Sequence, residues 1–190
     1  MQKIRSLLVE LDKLKSVYRM TYLSDISRTE NSAEHSWHLA VALMALRDLI
    51  PETVDIDHAI KMALLHDVCE IGAGDISVYD PKRGEKAKEE AEFMQAFAER
   101  HDTFGKEASA MWYEYEEQLT EESRWVKVVD RLLPFILNIA TEGKRWQEQG
   151  IARSQVLGIN RCIEEIAPEL YEWMKQEIDE AVKKGWLQDS

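Results

Sequence analysis

Glycine and proline are scarce in this 190-residue chain, at 8 and 4 residues, so little in it breaks long regular elements. Nowhere do apolar and polar residues alternate cleanly with period two, which speaks against half-buried strands. Only two cysteines occur, Cys69 and Cys162, too few for a disulfide scaffold and in keeping with a reducing compartment. No apolar run approaches ~18 residues, and the amino terminus is amphipathic rather than signal-like, so a cytoplasmic protein is expected. Positive charge is also in deficit. Lysine and arginine total 24 against 36 aspartates and glutamates, a formal charge of −12. Such a surface repels polyanions, which argues against capture of DNA, RNA or an anionic membrane.

What the chain does have is apolar mass at helical spacing. Apolar residues make up 45%, enough for a real core. Ile4, Leu7, Leu8, Leu11, Leu14 and Tyr18 recur three or four apart, the stripe of an amphipathic first helix. A polar stretch from Thr21 to Asn31 follows, and Asn31 with Glu34 forms a capping-box pattern opening a second helix that is expected to reach about Ile50, before Pro51. Asp57 is the expected cap of a third, largely apolar helix ending near Gly72. Gly72, Gly74, Pro81 and Gly84 mark the longest loop. Charged helices are expected from about Glu85 to His101 and from Lys106 to Gln118. Thr120 caps the next, Pro134 should kink it and Gly143 ends it. Two more helices, divided near Pro168 and closed by Gly185, complete the chain. No repeat or linker interrupts it, and one all-α helical bundle spanning 1–190 is expected.

The chemistry gathers around few residues. His66-Asp67 sits near the end of the apolar third helix, where a charged carboxylate is costly unless paired. Alone, the dipeptide fits a satisfied core histidine beside an outward aspartate at least as well as a metal pair. His35 lies in the first turn of the second helix, and Asp130 interrupts the valines of Val126-Lys127-Val128-Val129. Together these four residues offer two imidazoles and two carboxylates from three helices. That donor set suits Mn, Fe, Co, Ni or Zn better than Ca or Mg.

The order His, His-Asp, Asp on helices resembles the HD superfamily of metal-dependent phosphohydrolases. Arg28-Thr29-Glu30-Asn31, Glu34-His35-Ser36, His66-Asp67-x-x-Glu70 and Gly74-Asp75-Ile76 are similar to its 5′-deoxynucleotidase branch, which removes phosphate from deoxyribonucleoside 5′-monophosphates. The similarity runs from about Lys3 to Asn138, with the C-terminal helices, 154–186, completing the bundle. The resemblance implies that His35, His66, Asp67 and Asp130 ligate one divalent metal, that Glu70 positions or deprotonates the attacking water, and that Asp75 supports catalysis or contacts the sugar. The four-residue step from His66 to Glu70 agrees independently, since it would put both on one helix face. Arg19 matches the family position that binds substrate phosphate, a task suited to a planar guanidinium. Some relatives place a Trp one or three residues after this arginine; here those positions are Met20 and Tyr22, and Tyr22 is the candidate to stack on the base.

The resemblance therefore implies hydrolysis of a phosphomonoester by a metal-activated water, without a covalent intermediate. Relatives with two metals need further histidines between the His-Asp pair and the last aspartate, and only His101 lies there, so one metal is expected. Alternatives are hydrolysis of another small phosphoester, or a non-catalytic metal-containing module that binds nucleotides. Apolar faces on the first and last helices, as in similar family members, suggest a homodimer.

Overall fold

A computed structural model describes residues 1–81 and 83–189. The secondary structure of the described residues is helical apart from one two-stranded sheet and an isolated parallel bridge between Ala152 and Gln188. Among the described residues, no helix is long and apolar enough to cross a membrane. The chain forms two compact units, residues 1–19 with 31–126 and residues 20–30 with 127–190.

The first unit opens with α1 (Gln2–Asp12) and a 3-10 turn at Lys13–Ser16. Strands β1 (Tyr18–Tyr22) and β2 (Thr29–Asn31) then pair with each other. They take the two ends of the expected polar stretch Thr21–Asn31, and Tyr18, expected on the first helix, instead opens β1, since α1 ends at Asp12. β1, Tyr18-Arg19-Met20-Thr21-Tyr22, alternates apolar and polar residues over five positions, whereas β2 is polar throughout. The hairpin between them is closed by Leu23 N–H donating to Arg28 O at 3.0 Å. Helix α2 (Ser32–Ala45) starts at the expected capping box: Asn31 Oδ1 accepts from Glu34 N at 2.9 Å, and Glu34 Oε2 accepts from Asn31 N at 3.1 Å. It stops at Ala45, earlier than expected, and a 3-10 turn over Arg47–Leu49 carries the chain to Pro51.

Helix α3 (Ile56–Leu65) is capped by Asp55, not Asp57, since Asp55 Oδ1 accepts from His58 N at 3.1 Å. It does not continue to Gly72. After His66 the bonding tightens to the i+3 pattern, with Glu70 N–H donating to Asp67 O at 2.9 Å, and the four-residue α4 (Glu70–Ala73) follows. Helices α5 (Arg83–Arg100) and α6 (Asp102–Glu117) begin earlier than their expected starts and form an antiparallel pair. Gly105 makes their close approach possible, because a Cβ there would lie 2.6 Å from the Phe97 carbonyl oxygen. Phe97, Met94, Ala108 and Trp112 bury together with Val68 and Cys69, and Leu7 and Leu11 of α1 cover the cluster. Cys69 thus behaves as a small apolar core group.

Helix α7 (Glu121–Ala140) is capped by Thr120, whose Oγ1 accepts from Ser123 N at 3.1 Å while Ser123 Oγ accepts from Thr120 N at the same distance. The helix passes from the first unit into the second after Val126 and continues through Pro134. Among the described residues the second unit has four helices after α7, where two were expected: α8 (Lys144–Gln149), α9 (Arg153–Ile159), α10 (Arg161–Ile166) and α11 (Pro168–Lys183). Gly143, Gly150 and Gly185 take positive φ at the turns. Helix α8 precedes the first expected helix, which is itself interrupted at Asn160 into α9 and α10. Phe135, Trp146, Val156, Ile163, Met174 and Ile178 form the buried apolar side of this unit.

Candidate metal centre

In the first unit α2 and α3 pack side by side, and that packing brings two histidines together. His35 lies in the first turn of α2 and is fully buried; His66 closes α3 and is 3% exposed. Their rings are 5.5 Å apart, and one nitrogen of each lies within 4.8 Å of the other. His66 Nδ1 faces the Ala63 carbonyl at 2.8 Å. Since a carbonyl only accepts, that contact keeps the proton on Nδ1, which donates to the backbone, and leaves Nε2 on the side of Asp67 Oδ1, 3.0 Å away. Metal-ligating histidines commonly carry this backbone contact on the other ring nitrogen. Tyr115 packs edge-on against the His66 ring, with centroids 5.1 Å apart, and limits its rotation.

Asp67 and Glu70 are both buried and sit on either side of Arg19, the last residue of the first unit in β1. Arg19 Nη1 donates to Asp67 Oδ2 at 2.7 Å and stands 3.8 Å from Glu70 Oε1. The two carboxylates respond oppositely. Burial opposes ionisation of Asp67, but His66, Arg19 and His35 outweigh it and hold the carboxyl well below its ordinary range. Burial also pushes Glu70 up, and the negative charges of Asp67 and Asp75 push the same way. Arg19 and the Ser32 hydroxyl offset only part of that, leaving Glu70 well above a normal glutamate. Environments that separate two neighbouring carboxyls in this way are common in acid–base sites. Because the helix breaks after His66, Glu70 reaches this cluster from the new helix α4 rather than from the next turn of a continuous one.

Asp75 follows Gly74, whose φ of +74° turns the chain back. The Gly74 carbonyl accepts from the buried Lys86 ammonium of α5. Neither Lys86 nor Ser32, which donates to Glu70, was singled out by the sequence, because both contacts join segments distant along the chain.

Two residues named by the sequence belong to the second unit. Asp130 is buried on α7, one turn beyond Val126, and its Oδ2 lies 3.9 Å from Lys127 Nζ. Tyr22 lies against α8: the Arg145 guanidinium is 4.6 Å from its ring centre, the Lys144 ammonium 5.0 Å, and its hydroxyl donates to Glu148 at 3.1 Å. The ring already carries cations, so a stacked base would have to share or displace them.

Two close imidazoles, one with its tautomer set by a backbone carbonyl, beside a strongly acidic carboxyl fit a transition-metal site. They fit a calcium site, which wants mainly oxygens, less well. An HD domain model matches residues 11–171, and the chain belongs to the HD-domain family. Within that class the chain is similar to the 5′-deoxynucleotidase of Mus musculus, 32% identical over 122 residues, covering 63% of this chain and 60% of that protein. A 5′-deoxynucleotidase of Schizosaccharomyces pombe is 23% identical over 186 residues, covering 94% and 84% of the two chains. The crystal structure of a predicted metal-dependent phosphohydrolase from Magnetospirillum magnetotacticum MS-1 superposes with a TM-score of 0.91 at 36% identity, covering 98% of this chain and 95% of that one. The chain spans about three fifths of the length of the mammalian relatives, 60% for mouse and 58% for human.

Proposed function

We propose that this protein is a metal-dependent phosphohydrolase that removes phosphate from deoxynucleoside 5′-monophosphates. The observation that carries the reading is the buried His35–His66–Asp67 group, the two rings 5.5 Å apart and Asp67 3.0 Å from His66, with Glu70 buried beside it, in a chain of the HD-domain family. In this reading His35, His66, Asp67 and Asp130 hold one divalent ion of the Mn, Fe, Co, Ni or Zn type. Once bound, such an ion supplies Lewis acidity, drawing charge from a phosphoryl oxygen and making water nucleophilic near neutral pH.

The chain's own groups do the rest. Arg19 exchanges its bond to Asp67 for the substrate phosphate, a guanidinium being able to take two oxygens at once. Glu70 Oε1 orients the attacking water and accepts its proton as the new P–O bond forms. The bond to the 5′ oxygen breaks, and that oxygen takes up a proton from Asp75 or from water. Asp75, held after the Gly74 turn, is also the proposed contact to the sugar. Tyr22 remains a proposed edge of the nucleoside site, through its hydroxyl or the uncovered part of its ring.

Exposed Ile4 and Leu8 on α1 and half-exposed Trp173 on α11 support a homodimer, which sedimentation velocity tests directly. The free thiols of Cys69 and Cys162 are in keeping with a cytoplasmic location. The activity is tested by incubating protein loaded with Co or Mn with a panel of deoxyribo- and ribonucleoside 5′-monophosphates and measuring released phosphate. Phosphate release that is abolished by chelation and restored by metal is expected. Nucleotide binding without release would replace the enzyme by a nucleotide-binding regulatory module.

A further inference from the structure

Ser32 is fully buried at the first position of α2, and its hydroxyl donates to Glu70 Oε2 at 2.5 Å. A hydroxyl has one proton to give. The competing acceptor, Val17 O, is 3.4 Å away, outside the usual O–H···O range, so the proton goes to the glutamate. The donor is held from two sides. Its own amide donates to Val17 O at 2.9 Å, and the Asn31–Glu34 capping box fixes the turn it stands on. Glu70, by contrast, projects from a helix only four residues long. Its second oxygen, Oε1, lies 3.8 Å from Arg19 Nη1, too far for a direct hydrogen bond.

We propose that Ser32 is a positioning residue for Glu70: by holding Oε2 it leaves Oε1 as the oxygen presented to the reacting water. The inference rests on the reading that Glu70 handles the proton of that water. It identifies a residue that neither the motif nor its spacing marks, since Ser32 lies 38 positions before Glu70. Ser32 touches neither the substrate nor the water. It acts through the carboxylate.

The test uses Ser32→Ala, which removes the hydroxyl at a helix position where alanine is well tolerated. Crystal structures of the metal-loaded wild type and variant should show the Glu70 carboxylate displaced by about 1 Å or more, or spread over rotamers. A shift of that size corresponds to a kcat loss of about 10- to 100-fold, with KM changed by less than roughly threefold and bound metal unchanged. Ser32→Thr, which keeps the hydroxyl, should recover most of the rate. In a Glu70→Gln background Ser32→Ala should cost nothing further, because both changes act through one carboxylate. This cycle decides the matter even where the extra methyl of threonine disturbs packing.

A carboxylate within about 0.5 Å of its wild-type position in Ser32→Ala overturns the proposal whatever the rate. So does an equal loss from Ser32→Ala in both backgrounds, which marks a merely structural role. If the carboxylate moves but the wild type releases phosphate from no nucleotide, the positioning stands and the phosphohydrolase reading falls.

Discussion

Replacing Arg19 by methionine tests the electrostatics of the cluster while leaving every proposed metal ligand in the sequence. The guanidinium contacts Asp67 at 2.7 Å and is 12% exposed. At an effective dielectric constant near 20, a unit pair at that distance attracts by about 6 kcal/mol before desolvation is subtracted. Breaking a buried pair by removing one partner costs about 3–5 kcal/mol, because the other charge stays behind. Partial access to water and relaxation place Arg19→Met at the low end, about 3 kcal/mol. For a chain of this size that lowers the melting temperature by roughly 6–12 °C. A divalent ion beside Asp67 supplies the missing positive charge and no longer has to approach a guanidinium. Saturating metal at about 100 times its Kd stabilises any single-site protein by about 2.7 kcal/mol, and the variant should gain more than the wild type. Thermal denaturation with chelator and with excess Co or Mn reads both effects. The gap between wild type and variant should be wide without metal and narrow with it. A variant as stable as wild type in chelator, or a gap that widens with metal, would refute this account of Arg19 and Asp67.

Two further changes probe the scaffold. Asn31→Ala removes one half of the capping box at the start of α2 and should cost about 1 kcal/mol in chemical denaturation. Metal affinity should also weaken, since His35 stands in the turn the box secures. Glu10 of α1 bonds Arg100 and His101, each at 2.6 Å. Burial acts against its charge, but Arg100 and His101 prevail, so its carboxyl titrates below the ordinary glutamate value of 4.5. A lowered folded pKa gives stability that is present above the unfolded value and lost as pH falls through the folded one. Stability measured from pH 6 down to about 3 should therefore fall less steeply in Glu10→Gln than in wild type; equal slopes would remove Glu10 from the acid response.

The parts of the fold legible in the sequence are those written locally. The Asn31–Glu34 box, the Thr120 cap and the glycine turns at Gly143 and Gly185 all depend on residues within a few positions of one another. The sheet was missed: Tyr18-Arg19-Met20-Thr21-Tyr22 does alternate, but over only five residues, and its partner Thr29-Glu30-Asn31 is polar throughout, so the pairing that stabilises both carried little local signal. Nor was the break after His66, since Asp67-Val68-Cys69 carries no glycine or proline and continues the apolar pattern. Burial of Val68 and Cys69 against Met94 and Phe97 accompanies that turn, and such packing is a tertiary fact. For the candidate site, His66-Asp67 and Asp130 stood out as costly residues in apolar runs, whereas His35, Glu70 and Asp75 drew their meaning from the order of motifs resembling the HD superfamily. Arg19 was named for phosphate, yet in the structure it bonds Asp67; Ser32 and Lys86 carried no local signal at all.

The central claim, that one bound metal ion makes this HD-domain chain a phosphohydrolase, is tested most directly by titrating metal-free protein with Co or Mn. Bound metal and the rate of phosphate release from a deoxynucleoside 5′-monophosphate are then measured on the same samples. The account predicts a rate that rises in proportion to bound metal and levels off at one ion per chain. Release without metal, a plateau at two ions, or full occupancy with no release would contradict it.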